Sequence, residues 1–86
     1  MKQIKAMDAR GLAQAIGINP ATVTEFCHTR RVTVSTEEGV YAITANRSYT
    51  AFRVLRCEEI FSEVIAVEDN ILDALLSVRN DAEGRA

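Results

Sequence analysis

The sequence predicts an α+β domain that opens on two short helices joined by a tight turn, continues in a small antiparallel β-sheet and closes on a helix. Three observations carry that expectation. Leu12–Phe26, reading LAQAIGINPATVTEF, spaces its apolar residues three and four apart around a central glycine and proline. Arg31–Ala45 alternates along both arms of a Glu37-Glu38-Gly39 turn, with the period of half-buried strands. Asn70–Val78 returns to helical spacing, with Ile71, Leu72, Leu75, Leu76 and Val78 apolar and Asp69 or Asn70 as cap.

Taken in order, Lys2–Ala6 reads as a short strand leading into a first helix that begins near Asp8, a plausible N-cap. Leu12, Ala13 and Ile16 line one face of that helix. Gly17 stands where a chain leaving a helix needs positive φ without a Cβ penalty. Asn19 then caps a second helix with Pro20 at its first position, where the missing N–H costs nothing. Val23 and Phe26, three apart, turn the apolar face of that helix back onto the first, with Ile18 at the corner. Ala13 keeps the crossing point small. Arg31–Thr36 and Val40–Ala45 form a hairpin directly after the helix pair, where a wing would lie. Thr50–Leu55 is ambiguous between helix and strand; Tyr49, Thr50, Phe52 and Val54 favour a third strand, with Asn46-Arg47-Ser48 as its turn. Ile60–Val67 is a fourth strand. Residues 1–80 are expected as a single domain and 81–86 as a flexible tail.

The 86-residue length suits one small domain with little core to spare. No apolar run approaches the length of a membrane span, and no signal peptide precedes the first helix. Cys27 and Cys57 have neither CxxC spacing nor histidines around them, so free thiols in a reducing, cytoplasmic setting are expected. His28 is the sole histidine and has no metal-ligand companions. There is no phosphate-cradling glycine loop and no nucleophile–base pairing, and Glu58-Glu59 reads as a solvated start to an element. Neither an enzyme nor a bound cofactor or metal is expected.

Charge is uneven. Residues 1–57 carry eight Lys/Arg against four Asp/Glu, a net +4, whereas residues 58–86 carry two against eight, a net −6. The overall −2 hides a basic half that would orient the protein on a polyanion. Two solvated surfaces that happen to differ in sign are the plainer alternative.

Leu12–Phe26 resembles the helix-turn-helix of bacterial and phage transcriptional regulators, including the repressor, Cro and MerR/excisionase-like groups. The likeness covers about a quarter of the chain, with Ala13, Gly17, Ile18 and Val23 in register. An αα-corner without a nucleic-acid role would show much of the same spacing. A supporting helix has no room before Asp8, so the likeness leans to compact winged variants in which the helix pair opens the domain. It implies a repressor-like DNA-binding regulator of phage or mobile-element type, acting as a homodimer on double-stranded DNA with residues 20–29 as recognition helix. On such a helix Ala21 would meet a thymine methyl and Glu25 a cytosine amino group, while Thr24 and His28 would reach base edges or phosphate. Asn19 and Thr22 would hold phosphate at the helix start, and Arg30 and Arg31 would grip the backbone beyond its end. The acidic tip Glu37-Glu38 argues against minor-groove insertion and suits edge-to-edge pairing or the grip of a protein. The second reading is therefore a phage-type inhibitor that binds a host defence or transcription complex through the same scaffold.

Overall fold

A computed structural model describes residues 8–86; the expected strand at Lys2–Ala6 lies outside them. The first helix forms as its spacing dictates. Helix α1 (Ala9–Ala15) buries Ala9 and Ala13 completely and lays Leu12 and Ile16 against the core. Gly17, at φ +88°, ends it with a paired closure: Ile18 N–H donates to Ala13 O at 2.9 Å and Gly17 N–H to Gln14 O at 3.2 Å. Asp8 stands at the N-cap but makes no side-chain cap bond.

The second helix does not form, and with it the N-terminal helix-turn-helix is overturned. Asn19 does cap a turn, its Oδ1 accepting from Ala21 N–H at 3.0 Å, but the turn stops after Pro20–Thr22 as a single 3₁₀ loop. The chain then extends as strand β1 (Val23–Phe26). The residues explain why. Thr22, Val23 and Thr24 are three consecutive β-branched side chains, stiff in a helix and well suited to a pleated surface. A sheet edge is available for them, with Val23 paired to Val34 and Phe26 to Arg31. Val23 and Phe26 would share a face on a helix; in the strand they point to opposite faces, at 3 % and 45 % exposure.

The rest of the sheet follows the predicted hairpin order. Strands β2 (Arg31–Thr36), β3 (Gly39–Ala45), β4 (Phe52–Cys57) and β5 (Ser62–Glu68) extend β1 into a five-stranded antiparallel meander in the order β1-β2-β3-β4-β5. The β2–β3 hairpin is consequently no wing. It lies inside the sheet, paired on both sides, and has no free edge to offer. Asn46 organises the β3–β4 turn, its Oδ1 accepting from the N–H of Thr50 (2.8 Å) and Ala51 (3.2 Å). The two outer strands are poor templates for pairing: β1 is four residues long, and β5 carries a register shift opposite Val54/Leu55.

Helix α2 (Ile71–Arg85) starts at the predicted cap, Asn70, whose side chain accepts from Asp73 N–H at 2.8 Å. It runs past the expected end at Val78. Ile71, Ala74, Leu75, Val78 and Ala82 recur at helical spacing and are buried on the sheet, so the last turns pack rather than trail. Both helices lie on the same face, over Val23, Val32, Val34, Tyr41, Ile43, Ala45, Phe52 and Val54. Arg79 Nη1 donates to Ile16 O at 2.9 Å, tying α2 to the end of α1. Each fully buried Val, Ile or Leu of this core contributes about 1.5–3 kcal/mol relative to exposure.

The strand at 23–26 makes a prediction that a helix there would not. Val23→Asp places a charge in the core and should cost ~3 kcal/mol or more, whereas Phe26→Asp should leave the melting temperature nearly unchanged. Thermal unfolding of the two variants checks this; equal destabilisation would mean that both side chains share one buried face.

Candidate functional site

The two faces of the sheet differ in chemistry. The covered face holds the core and one polar network at its margin. Tyr41 Oη donates to Asp81 Oδ2 at 2.5 Å, and Arg56 embraces the same carboxylate through Nε (3.2 Å) and Nη2 (2.7 Å). Arg56 Nη1 also reaches Glu63 at 3.1 Å. Two donors hold the Asp81 carboxyl below the usual carboxylate range, Arg56 more strongly than Tyr41, against an opposing desolvation cost. Burial first, and then the hydrogen bond to Asp81, push the Tyr41 phenol upward, so it stays a neutral donor. This network clamps α2 to β3, β4 and β5. Its members are partnered with one another, and Glu63 at its edge is exposed.

The open face is read off the strand pairings. Its three cross-strand rows are Ser35–Val40–Cys57–Ser62, Thr24–Thr33–Ala42–Leu55–Val64 and Phe26–Arg31–Thr44–Arg53–Val67. Among the described residues, no Asp or Glu stands at an outward position on any strand. The three strand carboxylates all turn to the helix side. Glu25 accepts from Arg10 N–H at 3.2 Å at the start of α1, Glu63 pairs with Arg56, and Glu68 accepts from Ser77 Oγ at 2.8 Å. In a chain of net charge −2, the open face is thereby positive. Arg31 and Arg53 flank Thr44 in one row, and neither takes part in an ion pair among the described residues.

More cations gather at that end. Arg30 closes the β1–β2 turn at φ +53°, a left-handed conformation uncommon for any residue other than glycine. Its Nε donates to Ala45 O at 3.4 Å, and its carbonyl accepts from Ala45 N–H at 2.9 Å. Arg47 lies exposed in the β3–β4 turn and His28 exposed in the turn before Arg30. Beside the row a hollow of about 570 Å³ opens between Thr44, Ala45, Asn46, Ala51, Arg53 and Val67. A second groove, about 320 Å³, lies on the helix side; Ile18, Val78 and Ala82 form its floor, and Glu37, Glu38 and Glu83 are on its rim. Arg79 also lines it, beside Glu83.

The residues expected on a recognition helix are dispersed by the strand. Asn19, Ala21 and Thr22 sit in the 3₁₀ turn at one end of β1, with the Asn19 side chain and carbonyl already engaged by Ala21 N–H and Thr22 Oγ1. Thr24 faces outward on the open face. Glu25 faces the helices. His28, Arg30 and Arg31 lie at the far end. The structure thus brings Thr24, Arg30 and Arg31 together with Phe26, Thr33, Thr44, Arg47 and Arg53, which the sequence reading did not single out. A signal for them existed: writing Arg31–Thr36 and Phe52–Cys57 as strands puts Arg31, Thr33 and Arg53 at outward positions.

No group of three or more potential metal ligands occurs among the described residues, and no helix there is long and apolar enough to cross a membrane. Comparison with protein-family models, with curated proteins and with solved structures finds no significant match.

The Asp81 clamp predicts a specific acid response. Because its folded-state pKa is depressed, its stabilisation is present above the unfolded value near ~3.9 and is lost as pH falls through the folded value. Asp81→Asn should therefore melt lower at pH 7 and lose less stability than the parent below about pH 4. Parallel acid-unfolding curves would show that the carboxylate is not a source of the pH dependence.

Proposed function

We propose that this protein binds nucleic acid, and that it does so on the open face of its sheet through the Phe26–Arg31–Thr44–Arg53–Val67 row. The supporting observation is that, among the described residues, the strands put unpaired Arg31 and Arg53 and no carboxylate on this face, in a chain that is acidic overall. Arg30 and Arg47 extend the same positive end, while Thr24, Thr33 and Thr44 offer hydroxyls to phosphate or base edges. The chemistry is that of a binding protein: cations and hydroxyls for a polyanion, with no nucleophile–base pair in the row. The sequence predicts double-stranded DNA as the partner, through a recognition helix; here DNA of either form meets a sheet surface instead.

A protein partner is the second reading, favoured by the apolar half of the same face. Val40, Leu55 and Val64 are only partly covered, and the β4–β5 loop beside them exposes Ile60 at 94 % and Phe61 at 61 %. A homodimer would form through this half, since both outer strands are blunted.

Binding to a labelled DNA across a salt series distinguishes the readings. Four arginines engaged should give a log–log salt slope of about 3 on a single strand or about 4 on a duplex, and Arg31→Ala and Arg53→Ala should each weaken binding by roughly fivefold and flatten the slope by about one unit. Wild-type slopes in both variants, or a complete absence of binding at low salt, would transfer the function to the apolar half and its protein partner.

Arg30 provides a test that separates fold from function. Glycine accepts the left-handed conformation freely, so Arg30→Gly should keep or raise thermal stability, by up to about 1 kcal/mol. The same variant should bind DNA more weakly and with a shallower salt dependence. A variant that is both stable and unimpaired would remove Arg30 from the contact surface.

A further inference from the structure

The geometry points to single-stranded nucleic acid, rather than duplex, as the occupant of the arginine row; this rests on the nucleic-acid reading above. The first argument is width. Five strands at about 4.8 Å spacing put roughly 19 Å between the axes of β1 and β5. The major groove is about 12 Å wide and the minor about 6 Å. The open face cannot enter either, and among the described residues no helix stands on that side to do so for it. Base edges inside a duplex are out of reach of this row.

The second argument is what the row offers to unpaired bases. At its β1 end Phe26 presents a half-exposed ring on the open face. Aromatic rings on a sheet surface hold single strands by stacking, which any base satisfies. At the other end the 570 Å³ hollow has apolar walls from Ala51 and Val67 and a guanidinium from Arg53, a setting for a splayed base stacked against an arginine plane. Arg31 and Arg53 lie two strand spacings apart, roughly 10 Å, with Thr44 between them. They would take the phosphates of the few nucleotides that link the two stacked ends. A strand laid across the sheet would run from Phe26, over Arg31, Thr44 and Arg53, into the hollow, with Arg30 and Arg47 alongside. Duplex DNA would meet only the cations and leave both stacking positions empty.

The test compares a fluorescein-labelled oligothymidine of about 15 nucleotides with a labelled hairpin duplex, using the full chain at low salt and fluorescence anisotropy. The oligothymidine should bind at least roughly tenfold tighter. Phe26→Leu should weaken oligothymidine binding by roughly fivefold or more while Phe26→Tyr retains it, because stacking needs a ring and not merely an apolar side chain. Melting temperatures equal to the parent's establish that both variants are folded. Equal or tighter binding of the hairpin overturns the single-strand inference and leaves the nucleic-acid reading standing. Oligothymidine binding indifferent to Phe26→Leu also overturns it. Failure of both probes to bind removes the nucleic-acid reading itself and assigns the face to a protein partner.

Discussion

One-sided burial governs this structure: two helices, of seven and fifteen residues, have to cover a five-stranded sheet, and both do so from the same side. Every strand must therefore send its apolar residues alternately to the helices and its remaining residues to the other face. Val32, Val34, Ile43 and Val54 meet α2 and α1; Thr33, Ser35, Arg53 and Leu55 cannot follow them. The open surface is a consequence of how little helix the chain contains. Its composition then decides what it can hold.

The polar network around Asp81 sets where α2 lies on that sheet. Apolar burial is non-directional, and Leu75 or Val78 would tolerate some sliding of the helix. Tyr41 and Arg56 converge on one carboxylate with short hydrogen bonds from two different strands, which fixes the register. Two residues before Asp81 on α2, Arg79 reaches the Ile16 carbonyl at the C-cap of α1. Among the described residues, the three strand carboxylates, on β1 and β5, turn to the helix side, Glu63 to Arg56, Glu25 to the Arg10 N–H and Glu68 to Ser77. Arg31 of β2 and Arg53 of β4 are left unopposed on the other.

Charge separation of this kind lets a chain that is acidic overall carry a face with unopposed arginines. The net −2 is an average over two faces of opposite character, and a polyanion would meet only one of them. The same face is apolar toward the β4–β5 loop, where Ile60 and Phe61 are exposed, and cationic toward the β1–β2 turn. A surface graded in this way has room for two contacts, one electrostatic and one hydrophobic.

The sequence by itself determined the parts whose cause is local. Gly17 had to close the first helix, because only glycine takes positive φ there at no cost. Arg31–Thr36, the Glu37-Glu38 turn and the Asn70 cap followed from alternation and side-chain hydrogen bonding within a few residues. Only the tertiary structure decided the fate of Val23–Phe26. VTEF spaces its two apolar residues as a helix would but begins with β-branched Val23 and Thr24, and pairing with β2 tipped the balance by supplying backbone partners that a second helix would have had to find within itself. That one choice removed the helix-turn-helix, sent Val23 and Phe26 to opposite faces and scattered Asn19, Thr24 and Glu25. The end of α2 was likewise undecidable locally: Asn80–Arg85 is polar and carries a glycine, and it is helical because Asp81 and Ala82 find their partners on the sheet. The arginine row shows the same limit, since Arg31 and Arg53 are 22 residues apart in the chain and become neighbours across Thr44 only when β3 pairs on both sides.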